Sequence, residues 1–319
     1  MRTYKTGRMP EGWMFLTLII LIFTGCERFP PSEFELGQVK LGSAYDLYVQ
    51  GEYAYVTHNE GLSIINISDL TDPEEVALVS TNEAAFGILV EEEIAYLGAG
   101  NDKFKIIDVK DKKNPKLIAE LDIPGSSYGI LKNMQMLYVS TWEGMFVCVD
   151  ITDLSSPIIR STIDCDGHGT SLAYRNELVY FTNPQKGLQL IDVKDPDDPV
   201  LGTTIPATSD AWDIQMKDSF IFLGRHRSGF SCIKINNDST FSTIYSRDNG
   251  GEVYGIFKDG DRLYSADLQN GLEIWETSSS GQATLHTTLQ EYSPHDVFID
   301  QGLIFLADQD RSFVILDVP

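Results

Sequence analysis

The chain is 319 residues long, with 42% hydrophobic, 11% aromatic and 22% charged residues, which is too apolar for a disordered polymer and enough to build a core. That length exceeds the ~250 to 300 residues at which a single hydrophobic core stops growing, so the chain either divides into domains or stacks small repeated cores. Lys and Arg number 24 against 47 Asp and Glu, a formal charge of −23, and so acidic a surface repels phosphate backbones and argues against a nucleic-acid partner.

The first predicted element is an address. Arg2, Lys5 and Arg8 precede Trp13 to Phe23, an apolar run of 11 residues broken only by Thr17, which falls short of the ~20 needed to span a membrane. The run ends in Phe23-Thr24-Gly25-Cys26, which resembles the bacterial lipobox, with Phe23 where Leu is usual. The resemblance implies a lipoprotein signal peptide over residues 1–25, acylation of Cys26, and a lipid-anchored protein of the bacterial envelope, at the outer membrane or cell surface. An uncleaved anchor and an ordinary signal peptide are the alternatives, and both also take the chain out of the cytoplasm. Residues 26–33, with Pro30-Pro31 among them, read as a tether, and residues 34–319 as the folded domain. The remaining Cys148, Cys165 and Cys232 are odd in number and form no complete disulfide framework. Cys148 and Cys232 also fall at matching repeat positions, where they read as small buried apolar groups.

The next predicted strand, Phe34 to Leu41, stands before a repeat that fills the rest of the chain. Leu62, Phe104, Phe146, Leu188, Phe230, Leu272 and Phe313 follow one another at five spacings of 42 and one of 41. Tyr55, Tyr96, Tyr138, Tyr180, Phe222, Tyr264 and Phe305 form a second series, and Asp46, Gly87, Gly129, Ser171, Asp213, Gly255 and Asp296 a third, small or acidic throughout. Each unit breaks into four short apolar runs, in the first case Tyr45 to Val49, Tyr53 to Thr57, Leu62 to Ile67 and Val76 to Ser80, with no helical periodicity. Asp69, Asp111, Asp153 and Asp195 are each followed four residues later by Pro, a hairpin signal between third and fourth strands.

Seven units of four strands predict an all-β chain forming a seven-bladed β-propeller. The seventh unit ends after its third strand, so Phe34 to Leu41 is expected to supply the fourth and close the ring, removing an exposed sheet edge. Ile106-Ile107-Asp108-Val109, Leu190-Ile191-Asp192-Val193 and Ile315-Leu316-Asp317-Val318, with Ala54-Tyr55-Val56 or Ala95-Tyr96-Leu97 before such runs and Asp-Pro turns after them, resemble the LVIVD-repeat family of bacterial and archaeal envelope propellers. The resemblance implies the fold and an extracytoplasmic setting, and no reaction. Units five and six depart from it, with Lys234 and Glu276 in place of Asp and no Pro turn, so a different connection is expected there.

Loops joining second to third strands, and each fourth strand to the next blade, share one face of a propeller. That rule puts Tyr45, Phe86, Tyr128, Thr170, Trp212, Tyr254 and His295 at the channel mouth, with Trp142, Arg225, Arg227, His58 and His226 on adjacent loops. Tyr45, Trp142, Trp212 and Tyr254 are candidates for stacking on a ligand, and His295, Arg225 and Arg227 for polar selectivity. Blade order predicts two clusters, His58, Asp46, His295 and Asp296 across blades seven and one, and His168, His226, Trp212 and Asp213 across blades four and five. Such groups suit acid–base chemistry or a divalent metal, so an extracytoplasmic hydrolase or lyase stands as the alternative to a binding scaffold. The structural alternative is that Asp46, Asp213 and Asp296 accept hydrogen bonds from first-strand N–H groups. The expected partner of a scaffold is an envelope protein, a peptide or a glycan, with the membrane met only through the lipid. The G-x-S-x-G match at Gly125 to Gly129 leads into a strand rather than a helix, and Asp164 to Gly167 lacks most of a calcium loop, so neither carries chemistry.

Overall fold

The computed structural model describes residues 32–100, 103–205, 208–237 and 240–318. The predicted signal peptide, Cys26 and most of the tether therefore lie outside the described residues. The described chain forms 28 strands arranged as seven four-stranded antiparallel sheets, with no helix. The first blade is built from β2 (Ala44–Gln50), β3 (Tyr53–His58), β4 (Gly61–Asn66) and β5 (Glu74–Ser80), and the later blades repeat that order.

The blades' cores lie between neighbours. Tyr55, Leu62 and Ile64 of blade one pack with Ile88, Val90, Leu97 and Ile107 of blade two. Seven such clusters fill the seven interfaces, and each takes one residue from the Tyr55 series and one from the Leu62 series. The two repeated series are thus the wedges of the ring, and their apolar burial drives blade stacking rather than blade formation. Outer strands are correspondingly bare: β17 (Val200–Thr204) is exposed along its length.

Closure follows the expected route. β1 (Glu35–Val39) pairs antiparallel with β28 (Ser312–Leu316), giving the last sheet its fourth strand from the other end of the chain. Arg311 ties this seam: its Nη1 donates to Glu35 Oε2 at 2.8 Å and its guanidinium stacks over Tyr292, whose hydroxyl donates to the same carboxylate at 3.1 Å. Phe305, Phe313 and Ile315 of blade seven then pack on Leu47, Val56 and Ile65 of blade one.

Turn chemistry also matches expectation. Asp69 Oδ1 accepts from the Thr71 N–H at 3.0 Å, and Asp111, Asp153 and Asp195 each accept from the N–H two residues on. Blades five and six are complete but joined differently. Blade five uses longer strands, β20 (Phe230–Asn237) and β21 (Thr240–Arg247), and blade six closes through Ser278 and Gln282. Cys148, Cys165 and Cys232 are free thiols buried in the inter-blade clusters.

Candidate functional site

Each inner strand starts at the face that carries the second-to-third strand loops, and five of the seven start irregularly. In β2 the register steps from Ala44 opposite His58 to Asp46 opposite Thr57, so Tyr45 is an extra residue with no partner of its own. The same bulge singles out Phe86, Tyr254 and His295, and in blade three it falls within Ser127 to Ile130, around Tyr128. A bulge re-aims a side chain and frees a backbone amide. Hydroxyls on the second strand take up the freed groups. Thr57 Oγ1 accepts from Asp46 N at 3.0 Å and donates to the Phe86 carbonyl of the next blade at 3.1 Å. Ser140 accepts from Gly129 N, and Thr182 from Ser171 N.

The bulged residues, together with Trp142 and Trp212, form a closed aromatic collar. Tyr45 meets Phe86 at 5.2 Å between ring centroids, Phe86 stacks on Tyr128 at 4.5 Å, and Tyr128 meets Trp142 at 5.4 Å. Trp142 meets Trp212 at 5.9 Å, Trp212 meets Tyr254 edge-on at 4.7 Å, and Tyr254 meets His295 at 5.4 Å. His295 returns to Tyr45 at 5.6 Å. Blade four contributes Thr170, which has no ring, and Trp142 from the loop of blade three fills that place. Thr170 instead donates to the Trp212 carbonyl at 2.5 Å.

The collar opens into a cavity of about 510 Å³ whose lower wall includes Tyr48, Phe257 and Phe298. Between collar and floor lie Asp46, Asp213 and Asp296, and each accepts a hydrogen bond from the first strand of the following blade: Ile88 N to Asp46 at 2.9 Å, Ile256 N to Asp213 at 2.9 Å, Leu47 N to Asp296 at 3.4 Å. Burial pushes Asp46 up to about 7, against the hydrogen bonds from Asp296 and Ile88 N that favour its carboxylate. Burial raises Asp296 well above the usual carboxylate range as well, with the charges of Asp46 and Asp213 adding to it. Asp46 and Asp296 are hydrogen-bonded to each other, so burial and their mutual repulsion favour a proton held between them. Burial also raises Asp213.

All of the expected mouth residues line this cavity, as does Trp142. The two expected His/Asp clusters assemble only in part. His58 is 2% exposed and turned into blade one, where Nε2 bonds Ser63 Oγ at 2.8 Å and Ser63 donates to Glu75, so it does not reach the Asp46 pair. His295 does line the cavity, but its Nδ1 is bonded to the Ala44 carbonyl at 2.8 Å and burial lowers its pKa, which keeps the ring neutral at pH 7. His168 and His226 do meet around the two tryptophans: His168 stacks on Trp142 at 3.9 Å, and His226 lies 5.1 Å from Trp212 with Nε2 on Tyr254 Oη at 3.1 Å. Asp213 departs from that group and faces the channel. No hydrogen bond joins an imidazole to any of these three carboxylates among the described residues, and none of their His, Cys, Asp and Glu side chains gather into a group able to hold a metal ion.

Of the two arginines, Arg227 is exposed beside His226, its Nε donating to Glu252 at 3.1 Å, and it lines a shallow groove with Gln185 and Asp210 next to the tryptophans. Arg225, on the same loop, donates to the Ser209 carbonyl and to the hydroxyls of Ser231 and Ser246, so its guanidinium is largely engaged by the protein itself. Thr57, Ser140 and Thr182 were not anticipated. Their signal was present, since they sit two residues after the Tyr55 series, at a position that is otherwise Gly or Ala.

Fold and site together define a seven-bladed propeller with an aromatic-collared central cavity. The LVIVD repeat family model matches residues 41–81 and 135–164, within blades one and three, so those two stretches carry LVIVD repeats, and the seven four-stranded blades are compatible with a propeller built from them. No curated protein matches the chain. Among solved structures it is similar to a chain of a mitotic checkpoint complex, with a TM-score of 0.70 at 14% identity over 99% of both chains. It also resembles the Cps50 (Swd1) β-propeller domain of Myceliophteria thermophila, with a TM-score of 0.71 at 12% identity over 90% of this chain and 99% of that one. The computationally designed protein Ika8 matches with a TM-score of 0.65 at 12% identity over 86% and 83%. At such identities these likenesses establish the fold.

Proposed function

We propose that the protein is a lipid-anchored, extracytoplasmic propeller of the bacterial cell envelope that serves as a binding scaffold, engaging its ligand through the collar and the loops around it. The observation that carries this reading is the closed aromatic collar over a cavity of about 510 Å³, a size that accepts one small ligand or one protruding side chain. Rings held by inter-blade contacts and hydroxyl-fixed bulges lose little freedom on binding, so their contact area converts efficiently into affinity. The groove of Gln185, Asp210 and Arg227 beside Trp142 and Trp212 extends the face with polar groups suited to a peptide or glycan. One structural neighbour comes from a mitotic checkpoint complex, an assembly in which a propeller of this build works among other proteins. The address rests on the lipobox-like segment ending at Cys26.

The test is a thermal-shift panel of peptides, glycans, metals and small organic ions on the full chain and on Trp212→Leu. The reading expects a ligand that raises the midpoint of the parent and leaves the variant unmoved, because selective binding to the folded state must stabilise it. Ligands that stabilise both proteins equally would overturn it.

A further inference from the structure

The cavity has a charge that its fold does not use. Three carboxylates line it, and no Lys or Arg is among the described residues that do. Their structural task is to accept hydrogen bonds: each takes an N–H bond from the next blade, and Asp213 also accepts from the Ile214 N–H at 2.8 Å and from the Ser171 hydroxyl. An amide oxygen would accept the same bond without repulsion among buried negative charges. Other blades dispense with the task altogether: at Gly87 and Gly255 the neighbouring backbone comes so close that a Cβ would collide with the carbonyl oxygen of Tyr128 or crowd that of His295. Acids at Asp46, Asp213 and Asp296 thus cost the ring stability relative to amides that would accept the same bonds, which is the mark of a group kept for a ligand.

We propose that the collared cavity binds a small organic ammonium ion, seating its charge beside the Asp46–Asp296 pair and its alkyl groups against the aromatic collar; this rests on the scaffold reading of the same cavity. The positive charge supplies the missing counter-ion. The collar favours an organic cation: the faces of its phenyl, phenol and indole rings draw positive charge through their quadrupole, an alkylated ammonium sheds water readily, and no His, Cys, Asp and Glu side chains gather to hold a metal ion among the described residues. The aliphatic wall formed by Leu47, Ile88 and Ile256 is equally suited to methyl groups. The acidic surface of the whole chain, with its formal charge of −23, adds electrostatic steering toward cations.

The experiment is titration calorimetry on the full chain at pH 8 with choline, and with 3,3-dimethyl-1-butanol as its uncharged isostere. Choline should bind the parent at least about tenfold more tightly than the isostere. Asp46→Asn should weaken choline by a similar factor while melting no lower than the parent, and Trp212→Leu should weaken both probes. Equal affinity for the charged and uncharged probes, or unchanged choline binding by Asp46→Asn, would overturn the inference. If choline and tetramethylammonium fail while a neutral glycan or peptide stabilises the parent and not Trp212→Leu, the ammonium inference falls and the scaffold reading stands. If nothing in either set binds at the collar, both fall.

Discussion

Asp46→Asn should make the propeller more stable above neutral pH. The amide keeps an oxygen for the Ile88 N–H, 2.9 Å away in the parent, and its NH₂ can donate to Asp296, so the seam between blades one and two is preserved. What disappears is a charge held in a poor environment. The fold moves Asp46 from 3.8 to about 7, which at ~1.4 kcal/mol per pH unit corresponds to a ceiling of about 4 kcal/mol. Because the shift belongs to the coupled pair, the expected gain is below that ceiling, on the order of 1 to 4 kcal/mol, or a few °C for a domain of this size. The sign follows from linkage: the folded state holds a proton that the unfolded state has released, so this site's contribution falls as pH climbs from 3.8 toward about 7 and is flat above. Thermal melts monitored by circular dichroism at pH 4 and pH 8 check it. The variant should gain little at pH 4 and the full amount at pH 8. A variant less stable than its parent at pH 8, or an equal gain at both, would refute the argument that buried charge at this seam is costly.

Other parts of the account yield their own expectations. Thr57→Val keeps the shape but strands the Asp46 amide and the Phe86 carbonyl, so urea unfolding should show a loss of about 1–3 kcal/mol; a loss below about 0.5 would mean the bulge needs no hydroxyl. Arg311→Met leaves Glu35 uncompensated in a seam where the two side chains are 14% and 6% exposed, and should cost about 3 kcal/mol in the same assay. A near-silent Arg311→Met would show that ring closure rests on strand pairing alone. Cys26→Ser should abolish incorporation of a labelled fatty acid in a bacterial host, and persistent labelling would remove Cys26 as the lipidated residue.

Features repeated seven times were legible in the sequence, because every copy obeys the same packing demand. The Tyr55 and Leu62 series read directly as the wedges between blades, and the truncated last unit pointed to β1 as the closing strand. The hydrogen-bonding role of Asp46, Asp213 and Asp296 was also readable, from their shared position among glycines and serine. Features that leave no mark on residue type or spacing were not. The bulge at Tyr45 leaves no trace in strand alternation, since one unpaired residue looks like an ordinary strand start. Trp142 joins the collar from a loop to replace the missing ring at Thr170, a substitution across blades that no periodicity records. His58 turned inward, and Arg225 became engaged at the surface, because Ser63 and Glu75 in one case, and Ser231 and Ser246 in the other, meet them only once the strands pair.

The central claim is that ligands enter through the collar, and tryptophan emission tests it most directly. Trp142 and Trp212 sit in the collar, whereas Trp275 is buried between blades five and six. A ligand that stabilises the full chain should change the parent's emission on titration, and Trp142→Phe with Trp212→Phe should abolish that response. A response that persists in the double variant would place the ligand elsewhere and contradict the account.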